Sequence, residues 1–350
     1  MLHGISGPPP VLIHLHIRKT GGTSLNSAIK HAFGRHEVFE LYAEGAHEQL
    51  PLHTSLDIAS LAAVSKALDT FGLDRVRYMS GHVPFGVHRL FGDRAKYVTL
   101  VRDPIERVIS HFFEERPVYQ AGKPLSFEEY VETERDPFLN NYQVRVLSDA
   151  ADLNGSLGLH DAAMSNTPRE LAFGPPVEAR HLEQAKQNIE RHFLVAAPLE
   201  QLMPSALMLR MMYDWPMWRL QNEYKHKGQH RPLTAELSST LIAMIARNNA
   251  YDTQLYEWVK SWFAAQRRRL EPQLSKDLER FQRINRILTS LGKYMPHDVR
   301  KRIAAVVLHG RATPIDLLLD VQTLLLRNKI FRSGEKGSAP GTCGDFRNGS

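Results

Sequence analysis

Apolar positions in this chain gather into short blocks. Val11-Leu-Ile-His-Leu-His-Ile17 is an apolar run holding two histidines, short enough for a buried strand of a parallel sheet. The polar segment Arg18-Lys-Thr-Gly-Gly-Thr-Ser24 follows, and then a helical run from Leu25 to Phe33. After a polar stretch, helical spacing returns near Leu56–Phe71. Tyr97-Val-Thr-Leu-Val101 reads as a second buried strand, punctuated by Arg102-Asp-Pro104. Pro104 suits the first turn of a helix, and Val108, Ile109, Phe112 and Phe113 continue at helical spacing. Residues 126–135 and 139–148 are expected to be helical. Residues 150–180 read as a long loop and a candidate acceptor-site lid.

The pattern then predicts a helix over 181–192, a third strand at Phe193–Ala197 and a helix over 199–213. Thr234 is the expected cap of a long helix from Leu237 to near Trp262. Phe281, Ile284, Ile287, Leu288 and Leu291 lie at helix spacing within 264–309, and a last helix is expected over 314–331. The Gly- and Ser-rich stretch from Ser333 to Ser350 reads as a disordered tail. Strands alternating with helices argue for an α/β fold with a parallel sheet flanked by helices. The expected organisation is a domain over 8–262, a basic helical extension over 263–332 and the tail over 333–350.

Charge changes this picture at one end. The net charge of +6 is uneven: residues 1–260 hold 27 Lys/Arg against 30 Asp/Glu, whereas 261–335 hold 15 against 7. Any nucleic-acid reading would rest on that C-terminal segment alone, and none is expected. Its aliphatic stripe with Arg267–Arg269 suits packing on the domain or on another subunit better than an anionic membrane surface. The only cysteine is Cys343, so no internal disulfide and no cysteine-based metal site can form. No leader and no apolar run long enough to span a membrane is visible. The expectation is a cytoplasmic protein, with peripheral contact to the inner face of the membrane as an option for residues 263–332.

Gly21 and Gly22 let the backbone turn tightly between strand and helix, where successive N–H groups point at an anion. Lys19, Thr23 and Ser24 add side-chain donors. In a Walker A loop the lysine follows the glycines; here Lys19 precedes them. After the second strand, Arg102 could grip a second phosphate bidentately and Ser110 could donate one hydrogen bond.

The pair K-T-G-G-T-S and R-D-P-x-x-R-x-x-S resembles the two cofactor signatures of sulfotransferases that use 3′-phosphoadenosine 5′-phosphosulfate (PAPS). The form is similar to the heparan sulfate 2-O-sulfotransferase-like branch and its bacterial relatives. Ser80-Gly-His-Val83, Asn141-Tyr-Gln-Val-Arg-Val-Leu147, Phe193–Glu200 and Asn249-Ala-Tyr-Asp-Thr-Gln-Leu-Tyr256 resemble further segments of that family. The likeness covers roughly residues 10–260. It implies a P-loop-like α/β fold and sulfuryl transfer from PAPS to a hydroxyl of a carbohydrate or glycolipid, leaving the bisphosphate PAP. By matching position, Arg18, Lys19, Thr20, Gly21, Gly22, Thr23 and Ser24 would hold the 5′-phosphosulfate. Arg102 and Ser110 would hold the 3′-phosphate. His82 would take the hydroxyl proton, and Lys19 would stabilise the leaving phosphate oxygen. No metal is implied. Two positions depart from the heparan enzyme: Ser80 stands where it has a second histidine, and His16 where it has an arginine.

His88 and His111 are the alternative bases. Arg107 is expected to be structural, paired with Asp103 or Glu106. Glu114 and Glu115 read as a solvated helix face, and Lys225, Lys227 and Arg231 as a basic loop, solvated or covering the nucleotide. The competing functions are a nucleotide-dependent kinase and a non-catalytic anion- or membrane-surface-binding protein.

Overall fold

A computed structural model describes residues 9–41, 61–83, 85–115, 126–133, 137–150, 176–217, 220 and 231–292. Its centre is a five-stranded, wholly parallel sheet in the order β2-β3-β1-β4-β5. The strands are β1 (Val11–Leu15), β2 (Val38–Leu41), β3 (Tyr78–Gly81), β4 (Ala95–Val101) and β5 (Phe193–Pro198). All of β1 and β3 is buried, as the central position of these strands demands. The helices are α1 (Gly22–Ile29), α2 (Leu61–Phe71), α3 (Pro104–Glu115), α4 (Phe127–Thr133), α5 (Tyr142–Leu147), α6 (Ala179–His192), α7 (Leu202–Tyr213), α8 (Ser239–Asn248), α9 (Ala250–Leu270) and α10 (Gln273–Gly292). The α/β expectation holds. Helices α6, α7 and α9 pack on β5. Buried Val108, Ile109, Phe112, Tyr130, Leu241 and Ile245 join α3, α4 and α8 in a second apolar cluster.

Several expectations shift. β2 and β3 have no counterpart among the predicted strands, because four-residue runs are too short to show a period. β1 stops at Leu15; His16 continues the ladder only through its N–H to the Gly81 carbonyl (3.0 Å) before the chain turns. The long helix expected to start under a Thr234 cap is two helices. Ser238, not Thr234, caps α8 by accepting the Leu241 N–H (3.2 Å), and Asn249 separates α8 from α9. The Thr234 hydroxyl instead donates to Glu106. Helix α9 runs without a break through residues 262 and 263.

The described residues up to Glu279 belong to one compact unit, with Leu270 and Leu274 buried and Arg210 paired to Asp277 (2.6 Å). The remainder of α10 belongs to a second unit. Residues 151–175 of the loop expected over 150–180, Lys225, Lys227, Cys343, the helix over 314–331 and the tail lie outside the described residues, while Ala179 and Arg180 of that expected loop belong to α6. No described helix is long and apolar enough to cross a membrane.

Two of the sequence segments lock into each other. Asn141, in the left-handed region at φ 46°, accepts the N–H groups of Tyr251 (2.9 Å) and Asp252 (3.0 Å) at the start of α9. In return, Asp252 accepts the N–H groups of Gln143 (3.0 Å) and Val144 (2.8 Å) at the start of α5. Asn249 closes the frame by donating to Leu139 O (2.6 Å) and accepting the Asn141 N–H (3.2 Å). Each short helix start thus has its orphan donors satisfied by the other segment. Arg107 is fully buried under this frame, donates to Phe138 O and lies over the Tyr142 ring (5.2 Å). Its charge also acts on the buried Asp252, where it opposes the upward push of burial on that carboxyl.

Candidate functional site

Ligands of open α/β sheets bind beyond the carboxyl ends of the strands. Four of the predicted segments begin there: the 16–24 loop after β1, His82 after β3, Arg102 after β4 and Leu199–Glu200 after β5. The β1–β3 register pairs His14 with Ser80 and Leu15 with Gly81. Because side chains alternate with period two, residues 14 and 16 share a face with 80 and 82. His16 and His82 therefore meet, ring centroids 4.7 Å apart.

The loop itself is a strained turn. Lys19 sits at φ 67° and Gly21 at φ 83°. The Thr20 hydroxyl donates to Ile17 O (2.8 Å), so it braces the turn from inside. Gly21 is the N-cap of α1 and offers no side-chain cap, which leaves the first helical turn to the loop. A Cβ on Gly21 would overlap Leu199, and one on Gly22 would overlap the His16 ring. Gly22 is therefore required by close approach to the His16 ring and Gly21 by its positive φ, and the N-terminal end of the eight-residue α1 has the form of an anion cradle. Thr23 is exposed, Ser24 half-buried and Arg18 half-buried over the Phe138 ring (5.6 Å).

Arg102 joins this loop directly. Its guanidinium donates to Lys19 O (3.2 Å) and to Glu106 Oε2 (3.2 Å). Its backbone is held at both polar groups by the Gln143 side chain: the Arg102 N–H donates to Oε1 (2.9 Å) and Nε2 donates to Arg102 O (2.9 Å). Gln143 is fully buried and its own N–H is fixed by Asp252. The interlocked frame thus ends at the arginine expected to grip a phosphate. Arg231 also reaches Glu106 (3.3 Å), so two guanidinium groups and the Thr234 hydroxyl converge on one carboxylate. Ser110 is half-buried on α3, about two turns on.

Lys19 pairs with Glu114 near the far end of α3, and the lysine is the more enclosed partner, 10% exposed against 48%. Glu114 is therefore a site-facing charge and not only a solvated helix face. No residue pattern in the sequence singles out Glu114; its contact with Lys19 does. Gln143 is a further residue beside the loop that sequence reasoning leaves without a role; Glu106 is expected beside Arg107, and His16 is expected to line the site. The signal for His16 is the period of two from His14.

The histidines are held neutral. Burial pushes His14 down to about 3, and its Nδ1 lies 2.9 Å from Ser80 Oγ. His16 and His82 are lowered by burial and by the cations and histidines around them, Arg18 and Lys19 among them. His82 as a whole residue is half-buried. Of the alternative bases, His88 is tied to the Tyr97 hydroxyl (2.9 Å) and packs on His192 near the start of β4, away from the carboxyl ends. His111 is buried against Phe138 and Tyr130. Among the described residues no group of His, Cys, Asp and Glu has the makings of a metal site.

No family model matches the chain. It is similar to the uronyl 2-sulfotransferase of Homo sapiens, 22% identical over 284 residues, which cover 73% of this chain and 65% of that protein. The uronyl 2-sulfotransferase of Mus musculus is likewise 22% identical, over 291 residues covering 75% of this chain and 67% of its own. The match spans about two thirds of the length of these relatives, and the likeness to sulfotransferases is distant.

Proposed function

We propose that the chain is a PAPS-dependent sulfotransferase acting on a hydroxyl of a carbohydrate, with uronic-acid polysaccharides as the first acceptors to try. One observation carries the reading. The glycine loop, His82 and Arg102 come from segments about sixty and eighty residues apart along the chain and converge at the carboxyl ends of β1, β3 and β4. The likeness to uronyl 2-sulfotransferases supports the same chemistry.

The residues fit a nucleotide phosphorylated at both ends of its ribose. The loop has two glycines where a Cβ would fill the space, and a helix start without a side-chain cap. Arg18, Lys19, Gly21, Gly22, Thr23 and Ser24 would hold the 5′ end, with Thr20 bracing the turn. Arg102, Ser110 and Arg231 would hold the 3′-phosphate. Bound PAPS supplies the sulfuryl group and a phosphate leaving group. His82, neutral at pH 7, accepts the proton of the acceptor hydroxyl at a ring nitrogen. Lys19 places its ammonium where charge develops on the leaving oxygen, a contribution of several kcal/mol in an enclosed site. Residues 8–262 would form the sulfotransferase unit, with the helical segment after 262 as its extension.

The test is isothermal titration with PAP and single-turnover transfer from labelled PAPS to uronic-acid polysaccharides. Arg102→Ala should abolish PAP binding, and His82→Ala should leave PAP affinity intact while turnover collapses. PAP binding that survives Arg102→Ala would remove the basis of the reading. A kinase would instead lose its activity on adding EDTA.

A further inference from the structure

We infer that His16 is a positioning residue whose ring is the spacer between the donor loop at Gly22 and the base His82, an inference that rests on reading His82 as the base. The β1–β3 register puts His16 opposite His82, and the His16 N–H to Gly81 O (3.0 Å) fixes the backbone there. Its ring touches His82 on one side, with centroids 4.7 Å apart at 48°. On another it lies so close to Gly22 that any Cβ there would overlap the ring. Behind it, the His14 ring stacks at 5.3 Å and 14°, pinned in turn by Ser80 (2.9 Å). The ring is 8% exposed.

A side chain packed on three sides cannot yield to one neighbour without moving another, because protein interiors are close-packed. The His16 ring therefore sets the distance between the first residue of α1, where the donor would bind, and the imidazole that would take the proton. An error of about 1 Å in such a distance costs about a hundredfold in rate. Among the described residues, His82, His14, Arg18 and Lys19 face His16, and burial with these groups lowers its basicity. The ring thus stays uncharged and fills space next to the base without adding a charge to it.

A double-mutant cycle tests this with PAP as the probe. Gly22→Ala drives a methyl into the His16 ring from the loop side. It should weaken PAP binding about tenfold or more and shift the His82 ring resonances in spectra of histidine-labelled, nucleotide-free protein. His16→Ala opens the space, so the Gly22→Ala/His16→Ala double variant should bind PAP within about threefold of His16→Ala alone, a coupling of the kind contacting residues show. Should Gly22→Ala not fold, His16→Ala must shift the His82 resonances while His16→Phe, which keeps a ring, leaves them near their wild-type positions. Additive losses in the cycle, or His82 resonances indifferent to both substitutions, overturn the spacer. Wild-type protein that ignores PAP would refute the nucleotide reading instead, and the spectral arm would still decide the spacer.

Discussion

Replacing Glu114 with glutamine should tighten nucleotide binding. Lys19 is only 10% exposed and pairs with the carboxylate of Glu114, itself 48% exposed. A bound phosphosulfate must draw the ammonium away from that carboxylate, so the ion pair is a cost subtracted from affinity. Two unit charges about 4 Å apart at an effective dielectric of about 20 interact by about 4 kcal/mol. Half of Glu114 faces water, however, and ion pairs with an exposed member are measured at about 0.2–1 kcal/mol. Taking the upper end, because Lys19 is enclosed, the gain is about 1 kcal/mol, or roughly fivefold in the PAP dissociation constant. Titration calorimetry with PAP would compare wild type, Glu114→Gln and Glu128→Gln, the last being an exposed helix-face carboxylate. The gap between wild type and Glu114→Gln should narrow at high salt, because the pair is partly screened. An unchanged or weaker affinity in Glu114→Gln, or an equal gain in Glu128→Gln, refutes the competition argument.

Asp252→Ala should destabilise the fold by about 3–5 kcal/mol, since it strands the Gln143 and Val144 N–H groups and leaves the buried Arg107 uncompensated. Thermal denaturation reads this as a fall in Tm of roughly 10 °C, and a change under 2 °C would mean that the frame carries little. Gln143→Ala should weaken PAP binding about tenfold, because it removes both hydrogen bonds that fix the Arg102 backbone. Equal PAP affinity in that variant would show that Arg102 is positioned by other contacts. Stability should also fall with acidity: His14 and His16 ionise below the ordinary 6.5 when folded, so the unfolded chain takes up protons first. The contribution of each is complete above about pH 6.5 and is lost as pH drops towards the folded value, about 1.4 kcal/mol per pH unit per histidine. Urea midpoints from pH 7 to 4.5 should fall less steeply in His14→Gln, and an identical slope would refute the assignment.

The parts of the site legible in the sequence are those whose chemistry is local. Arg18–Ser24 announces itself because a strand, two glycines and a helix follow one another without interruption. Arg102-Asp-Pro104 does so because a proline marks the helix start after a strand. β2 and β3 were hidden for the opposite reason: Val38–Leu41 and Tyr78–Gly81 are four residues each, and their pairing partners lie elsewhere in the chain. The break at Asn249 is equally non-local. Its side chain bonds Leu139 O, 110 residues away, and no propensity near residue 249 encodes that contact.

The two asparagine-containing segments show how site and scaffold divide. As sequence, Asn141–Leu147 and Asn249–Tyr256 stand out only by their resemblance to segments of the sulfotransferase family. In the fold their polar groups turn towards each other: Asn141 caps α9, Asp252 caps α5, and Arg107 settles beneath both. Gln143 reaches outward to the backbone of Arg102, and Tyr256 reaches Glu200 through its hydroxyl (3.2 Å). Polar residues buried at this depth are costly unless every donor and acceptor is matched, so the frame is rigid where it is complete. That rigidity is delivered to one point, the end of β4, where the backbone of Arg102 is held at both polar groups. The loop after β1 receives its support differently, through packed rings and the contact between His16 and Gly22. Of the proposed nucleotide site, the Arg102 half is thus braced mainly by the Gln143 hydrogen bonds, and the loop half by close packing together with the Thr20 hydrogen bond. Polar substitutions such as Gln143→Ala should therefore be felt at the 3′-phosphate, and volume changes such as Gly22→Ala at the sulfuryl end.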